Sequence, residues 1–485
     1  MTQTDANAIL PVLILTAYGC GLMLVDLLIP DDQKRWTAWL ALLGLVAAGV
    51  GLALWPAGLQ EVGFNGMLIA DGYAAFLDVI VLIAAGLTIL LALNYLPRAG
   101  LERGEFYYLL LFTVSGMLLM AQAGDLIVVF LALELLSIPL YILSGFARPR
   151  ASSEESALKY FLLGAFASAF LVYGIALVYG ATGTTNLAAI MAAHAAGQAQ
   201  NGLLAVGAGL VLVGLGFKVA VVPFHMWTPD VYDGAPSVVT AFMSVGAKTG
   251  GFAALLRVFL SAFPGLATEW ATVAAVISAL TMILGNFAAI AQSNIKRMLA
   301  YSSIAHAGYI LMGLVAASTA RADLRSFAVG ASLYYLLAYA LTNLGAWAVV
   351  IAVERAESAG LKIDDYAGLG WRRPGLALAM ALFMLSLTGL PPTVGLIAKI
   401  YVFRAAIDAG YLWLALIGVL TSLVSAYYYL RVVFTMYMQE GEGRALSAPV
   451  LNLAVGLTAV ATVIFAILPG PLMQMATNAF MALAH

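Results

Sequence analysis

Gly216-Phe-Lys-Val-Ala-Val-Val-Pro-Phe-His-Met-Trp227 is an apolar run of helical character with a proline inside it and a lysine five residues earlier (223 − 218). Pro223 has no N–H, so the carbonyl of Val219 loses its helical partner. A second segment, Thr388-Gly-Leu-Pro-Pro-Thr-Val-Gly-Leu-Ile-Ala-Lys399, repeats the arrangement in altered form. There Pro391 and Pro392 free the carbonyls of Leu387 and Thr388, and Lys399 follows Pro392 by seven residues (399 − 392). Backbone freed inside a hydrocarbon layer must face protein or a water-filled cavity. Two interrupted helices in corresponding places are the pattern of a transporter built from two repeats. The unequal lysine offsets make the repeat a loose one, and two unrelated proline kinks are the plain alternative.

Reading outward from these breaks, runs of about 20 apolar residues recur along the chain, about fourteen in all. The expected class is an all-α integral membrane protein with two inverted five-helix repeats, each holding a Pro-broken helix. One polytopic domain covers 1–485. Within it, 1–106 holds helices 1–3, 107–260 the first repeat (helices 4–8), 271–437 the second (helices 9–13), and 450–473 the final helix. Runs such as Val79-Ile-Val-Leu-Ile-Ala-Ala do not alternate, which excludes an outer-membrane barrel.

Composition agrees. Apolar residues make up 63% of the 485 and charged residues 9%, too few to make a water-facing surface. The net charge of −2 leaves no basic patch for nucleic acid. Cys20 is the single cysteine, which excludes an internal disulfide and a cysteine-held iron–sulfur cluster or zinc site. His194, His225, His306 and His485 are scattered singly, with no metal-binding spacing. The N-terminal residues carry no positive leader, so the first apolar run reads as a retained span. Lys34, Arg35, Arg98, Arg103, Lys296, Arg297, Arg372 and Arg373 all fall in loops after odd-numbered spans, which places those loops in the cytoplasm and both termini on the other side.

Ionisable groups within the spans are costly and face a bundle interior. Glu134 sits mid-span, Lys159 opens the span 158–181, Lys218 precedes the first break, Lys248 lies in Ser244-Val-Gly-Ala-Lys-Thr-Gly-Gly, and Lys399 stands beyond the second break. His306 lies in Tyr301-Ser-Ser-Ile-Ala-His-Ala-Gly-Tyr. Four lysines against one glutamate suit a proton relay. The charge of a buried lysine depends on its neighbours, so movement of Glu134 would switch whether Lys218 holds its proton. The structural alternatives are that Lys159 snorkels to the cytoplasmic face, that the others form static ion pairs, and that His306 is a satisfied core histidine. Asp26 and Asp78 have no evident partner and read as packing or partner contacts. Arg431 reads as an interface anchor and the pair Lys296-Arg297 as a positive-inside anchor.

The segment Lys218 to Pro236, with Asn294-Ile-Lys-Arg-Met-Leu-Ala-Tyr-Ser-Ser-Ile-Ala-His-Ala-Gly-Tyr309, resembles the antiporter-like subunits of respiratory complex I, the proton-translocating NADH:quinone oxidoreductase. Glu134-Leu-Leu-Ser-Ile-Pro-Leu-Tyr, Ala157-Leu-Lys-Tyr-Phe-Leu-Leu-Gly and Gly389-Leu-Pro-Pro-Thr-Val-Gly-Leu-Ile-Ala-Lys are similar to the subunit N branch of that family. The resemblance covers the whole chain. Lysine at 399 and the short C-terminus ending at His485 set it apart from the M- and L-type branches. It implies a fourteen-helix bacterial inner-membrane subunit that moves protons, driven by quinone reduction in another arm. It also implies the relay Glu134–Lys218, Lys159, Lys248, Lys399 and His306. No cofactor is implied in this chain; FMN, iron–sulfur clusters and quinone belong to other subunits. The implied partners are adjacent antiporter-like and small membrane subunits, with lipid around them and no nucleic acid. Membrane subunits of cation/proton antiporters share the broken helices and are the alternative.

Overall fold

The computed structural model describes residues 2–55, 60–355 and 359–481, so His485 and part of the 354–374 connection lie outside the described residues. The first three spans are α1 (Gln3–Asp26), α2 (Arg35–Ala53) and α3 (Gly72–Ala99), with a short hairpin, β1 (Glu61–Gly63) and β2 (Leu68–Ala70), between the last two. The hairpin is absent from the expectation because three-residue strands carry no periodic signal. Then come α4 (Glu105–Gln122), α5 (Leu126–Ser144), α6 (Ala151–Thr182), the short α7 (Leu187–Ala195) and α8 (Asn201–Val219). After the first break follow α9 (Trp227–Gly234), α10 (Ser237–Phe242) and α11 (Lys248–Ser261), the last two joined by a π-helical turn over Met243–Ala247. The second half holds α12 (Ala267–Ile290), α13 (Ile295–Ala316), α14 (Ala322–Val353), α15 (Leu369–Arg372), α16 (Pro374–Thr388), α17 (Val394–Asp408), α18 (Leu412–Met438), α19 (Pro449–Ile467) and α20 (Pro469–Met481).

Among the described residues, thirteen helical segments are long and apolar enough to cross a membrane. The expected span 375–398 is instead the two half-helices α16 and α17. At 1.5 Å per residue each is about 22 Å long, short of the roughly 30 Å hydrocarbon core, so only the two in series make a fourteenth crossing. Two other boundary shifts matter. The expected span 158–181 starts at Ala151, because Ser-Ser-Glu-Glu-Ser continues the helix beyond its apolar part. Lys159 therefore lies two turns inside α6 rather than at its start. The span 450–473 stops at Ile467. Pro469 has no N–H, and the residue before it, Leu468, leaves helical geometry (φ −119°, ψ 62°), so α20 begins as a separate helix.

Packing pairs recur in the two halves. Helix α4 lies on α5 and α12 on α13; α5 meets α6 as α13 meets α14; α8 packs on α6 and α11, as the α16–α17 pair does on α14 and α18. The loops repeat as well. A single β-bridge joins Asp125, just before α5, to Asn186, and another joins Asn294, just before α13, to Lys362. In each bridge the cap residue's side chain also holds a first-turn amide: Asp125 Oδ1 accepts from Ile127 (2.8 Å), and Asn294 Oδ1 from Lys296 (2.8 Å).

Helices that carry the central charges are enclosed by other helices. Over an apolar stretch of 18 residues in each, every residue of the spans Ser237–Ser261 and Ala322–Val353 is buried and 94% of those in Ile295–Ala316, against 33% for α6 and 28% for α19. The polar groups in the middle therefore face protein, not lipid, as a charge within a bilayer requires.

Candidate functional site

The first break forms as its proline demands. Helix α8 ends in a left-handed turn at Ala220 (φ 61°), and the chain turns before α9. The exposed backbone is claimed by neighbours. Trp227 Nε1 donates to the carbonyl of Phe217 (3.0 Å), and the amide of Val222 donates to Thr281 Oγ1 (2.9 Å). Lys218, on the last turn of α8, is 4% exposed. Its Nζ donates to Ser137 Oγ on α5 (2.8 Å) and to Tyr160 OH on α6 (3.0 Å), and Tyr160 stacks on Trp227 at 4.5 Å. Its stem rests on α11 where Gly251 has no side chain; a Cβ there would lie 3.4 Å from Lys218 Cγ and only 2.8 Å from a Val219 methyl.

Glu134 is half-buried, one turn before Ser137 on α5. It does not pair with Lys218: among the described residues no ion pair joins them, and Glu134 Oε1 accepts from Ser168 Oγ at 2.5 Å. A small cavity of about 10 Å³ lies here, lined by Ser168, Ser137, Tyr141, Gly164, Gly214 and Lys218. That volume is at the threshold for one water. Glu134 turns to a hydroxyl on α6, while Lys218 reaches Ser137 a turn away on α5.

Lys248 begins α11 directly after the π turn and is 2% exposed. Its Nζ donates to the carbonyl of Ser303 on α13 and stands 5.7 Å from the Tyr339 ring centroid. The buried hydroxyls of Ser303 and Tyr339 lie beside it. His306, 4% exposed, holds two tyrosines: Nδ1 meets Tyr335 OH (2.8 Å) and Nε2 meets Tyr429 OH (3.2 Å), and Tyr429 in turn bonds Ser302 Oγ.

Lys399, 3% exposed, lies on α17 but folds back onto its own break. Nζ donates to the carbonyls of Leu387 (3.0 Å) and Thr388 (2.8 Å), the same two that Pro391 and Pro392 free. It therefore closes the break rather than standing beyond it, as its sequence position suggested. Gly389 (φ 88°) makes room; a Cβ there would lie 2.9 Å from Lys399 Cδ. The ammonium also lies 4.9 Å from the Tyr309 ring, whose hydroxyl bonds Thr421 (3.1 Å) and Asn286 (3.2 Å).

Lys159 stands apart from these groups. Its side chain is 41% exposed and bridges Glu155 and Asp230, both at 2.7 Å. Asp230 also binds Arg297 at 3.0 Å, so α6, α9 and α13 meet on one carboxylate. Those hydrogen bonds, Lys159 first and Arg297 next, hold the Asp230 carboxyl below the usual carboxylate range. The four residues Lys159, Asp230, Arg297 and Lys362 line a polar cavity of 540 Å³.

Several residues read differently once placed. Asp26 has partners after all: Lys34 Nζ at 3.1 Å and Thr37 Oγ1 at 2.6 Å. Asp78, fully buried, accepts from Gln122 Nε2 at 3.2 Å. Lys296 is a buried donor to the Ala235 carbonyl (2.7 Å), and Arg431 caps the end of α12 through the carbonyls of Ile290 and Gln292. Arg257 and Asp71 form a bidentate pair (2.9 and 2.8 Å) with both side chains at most 1% exposed. Sequence reasoning also missed the polar face of α14. Its signal was there: Tyr335, Tyr339, Thr342 and Asn343 recur at helical spacing within an apolar span.

Comparison with known proteins agrees with this architecture. The family described as NADH:quinone oxidoreductase/Mrp antiporter, TM matches residues 123–425. NADH-quinone oxidoreductase subunit N of Chloroflexus aggregans is 48% identical over 99% of this chain and 98% of its own length. A chain in the structure of respiratory complex I from Thermus thermophilus superposes with a TM-score of 0.81 at 36% identity, covering 96% of this chain and 99% of that one. A chain of the membrane-bound sulfane sulfur reductase, an archaeal respiratory membrane complex, shares the fold alone (TM-score 0.87, 23% identity, 99% and 98% covered). With a full-length relative at this identity and a family match across most of the chain, this protein belongs to the NADH:quinone oxidoreductase/Mrp antiporter membrane family, in its subunit N branch.

Proposed function

We propose that this chain is a proton-translocating subunit in the membrane arm of an NADH:quinone oxidoreductase, and that it moves protons along the buried row Glu134, Lys218, Lys248, His306 and Lys399 while quinone is reduced elsewhere in the complex. One observation carries the reading. Lys218, Lys248 and Lys399 are each at most 4% exposed, and none is in ion-pair contact with a carboxylate among the described residues; Glu134 acts on Lys218 only at longer range. Each donates only to neutral oxygens. An uncompensated cation in a bilayer interior costs several kcal/mol. A scaffold has no use for three such groups; a chain that loads and unloads protons does.

In this reading Glu134, Ser168 and the small cavity connect laterally to Lys218. Lys248 is the middle station, and the hydroxyls of Tyr335, Tyr429 and Ser302 around His306 conduct protons toward Lys399. Lys159, Asp230 and Arg297 form the polar mouth through which the row meets water. The matched packing pairs and the two β-bridges support a division into repeats at 107–260 and 271–437. Redox chemistry belongs to other subunits, which hold FMN, iron–sulfur clusters and quinone; Cys20 offers one thiolate where a cluster takes four ligands. The neighbours are further antiporter-like and small membrane subunits. The setting is a bacterial plasma membrane with the arginine-rich loops in the cytoplasm and both termini opposite.

The test replaces Lys218 with Met, similar in length and uncharged. The assembled complex is then assayed for NADH:quinone turnover and for proton pumping in sealed vesicles. Collapse of both with assembly intact is the expected result. Wild-type turnover with a wild-type proton-to-electron ratio would show that Lys218 is structural and the row does not conduct.

A further inference from the structure

A second cavity of 540 Å³ lies outside the proton row, between the outer faces of α16 and α19. Its rim is polar and cationic, with Arg372, Arg373 and Asn452; its floor is apolar, with Leu378, Leu382, Val455 and Gly456. Both arginines are exposed, and neither has an ion-pair partner among the described residues. A smaller recess beside it is lined by Arg372 and Glu440, which do not pair. Helix α16 starts at this rim with Pro374, so the first-turn amides of Gly375 and Leu376, which have no acceptor in their own helix, lie beside the arginines and favour an anion there. The floor remains open: a Cβ on Gly456 would meet nothing within 4 Å, and Leu378 is 67% exposed. Trp371, 79% exposed next to the arginines, marks the headgroup level of the bilayer.

Charge and shape select the occupant together. A soluble anion would use the rim and leave the apolar floor bare. A zwitterionic lipid would use the floor and leave two guanidinium groups without a counter-charge. We propose that this cavity binds an anionic phospholipid, with its phosphodiester between Arg372 and Arg373 and an acyl chain laid along α16 and α19 over Gly456. Basic pockets between transmembrane helices at the cytoplasmic surface take such headgroups on general electrostatic grounds, and the bidentate guanidinium fork suits phosphate geometry.

The experiment uses the assembled complex in bilayer discs containing a photoreactive phosphatidylglycerol or, at equal mole fraction, the same probe as phosphatidylcholine, with labelled peptides mapped. Labelling of segments 374–382 and 452–459 by the anionic probe, well above the zwitterionic one, is the expected result. Arg372→Gln with Arg373→Gln should lower that labelling roughly 30-fold, from about one surface-charge increment per arginine. Gly456→Leu, at a position where a Cβ meets nothing within 4 Å, puts a side chain into the groove and should abolish labelling of the floor while both arginines remain. Equal labelling by the two probes, or labelling unchanged in the double arginine variant, would overturn the proposal. So would absence of lipid labelling with cross-linking of Arg373→Cys to a neighbouring subunit, since the face would then be a protein contact. The wild-type comparison needs no variant, so a failure of either variant to assemble leaves the proposal decidable.

Discussion

Lys399 gives the sharpest test of how the second broken helix is held. Its ammonium is the donor to both carbonyls that the prolines free, at 3.0 and 2.8 Å, in a site 3% exposed. A hydrogen bond from a charged donor contributes about 1.5–3 kcal/mol net, so the two together contribute about 3–6 kcal/mol. Against this stands the desolvation of an unpaired cation, several kcal/mol. Lys399→Met removes both terms and leaves two buried acceptors orphaned, at about 1–3 kcal/mol each. The two orphaned acceptors cost about 2–6 kcal/mol together, relief of the desolvated cation offsets several kcal/mol of that, and the net loss is about 1–3 kcal/mol. Lys399→Gln, one atom shorter and neutral, keeps an N–H donor and should retain one of the two bonds. The Met variant should therefore lower the thermal stability of the purified complex, and the Gln variant should lower it less. Both should lose proton pumping, since neither side chain carries a proton on and off at neutral pH. The assays are thermal inactivation of the solubilised complex and the proton-to-electron ratio in vesicles. A Met variant as stable as wild type would refute the claim that Lys399 closes the break. A Gln variant with a wild-type pumping ratio would refute its place in the proton row.

Two other outcomes follow from groups outside that row. Arg257→Met leaves the Asp71 carboxylate buried and unpaired, and should cost about 3–5 kcal/mol, read as loss of assembled complex; replacing both partners by apolar residues should cost distinctly less, and equal costs would contradict the ion-pair account. Asp230 has its folded value below the ordinary carboxylate value of 3.8, so its bridge is complete above that value and fails only as pH falls through the lower folded one. Asp230→Asn should accordingly change activity by a constant factor between about pH 5 and pH 8, and a change in the shape of the profile across that window would show that the Lys159–Asp230–Arg297 bridge titrates under working conditions.

The sequence by itself determined the class, the number of crossings and the places where helices break. Apolar run length is a local property set against a fixed bilayer thickness, and a proline deletes one specific backbone donor wherever it stands. The carbonyls of Leu387 and Thr388 were therefore legible as unpaired before any fold was known. Charged residues within apolar runs were legible for the same reason, because their cost does not depend on the partner. Partners were another matter. Which side chain meets a buried charge depends on helix rotation and on which distant helices touch, and neither is encoded in nearby residues. Lys399 was read as standing beyond the break, yet its stem is long enough to fold back over Gly389 and close it. Glu134 was matched with Lys218 by type, yet its helix points it at Ser168 on α6. Lys159 was grouped with the relay, but it stands half-exposed in a bridge with Asp230 and Arg297. The tyrosines of α14, and the pairs Arg257–Asp71 and Asp78–Gln122, join residues far apart in the chain, and only packing of the bundle brought them together.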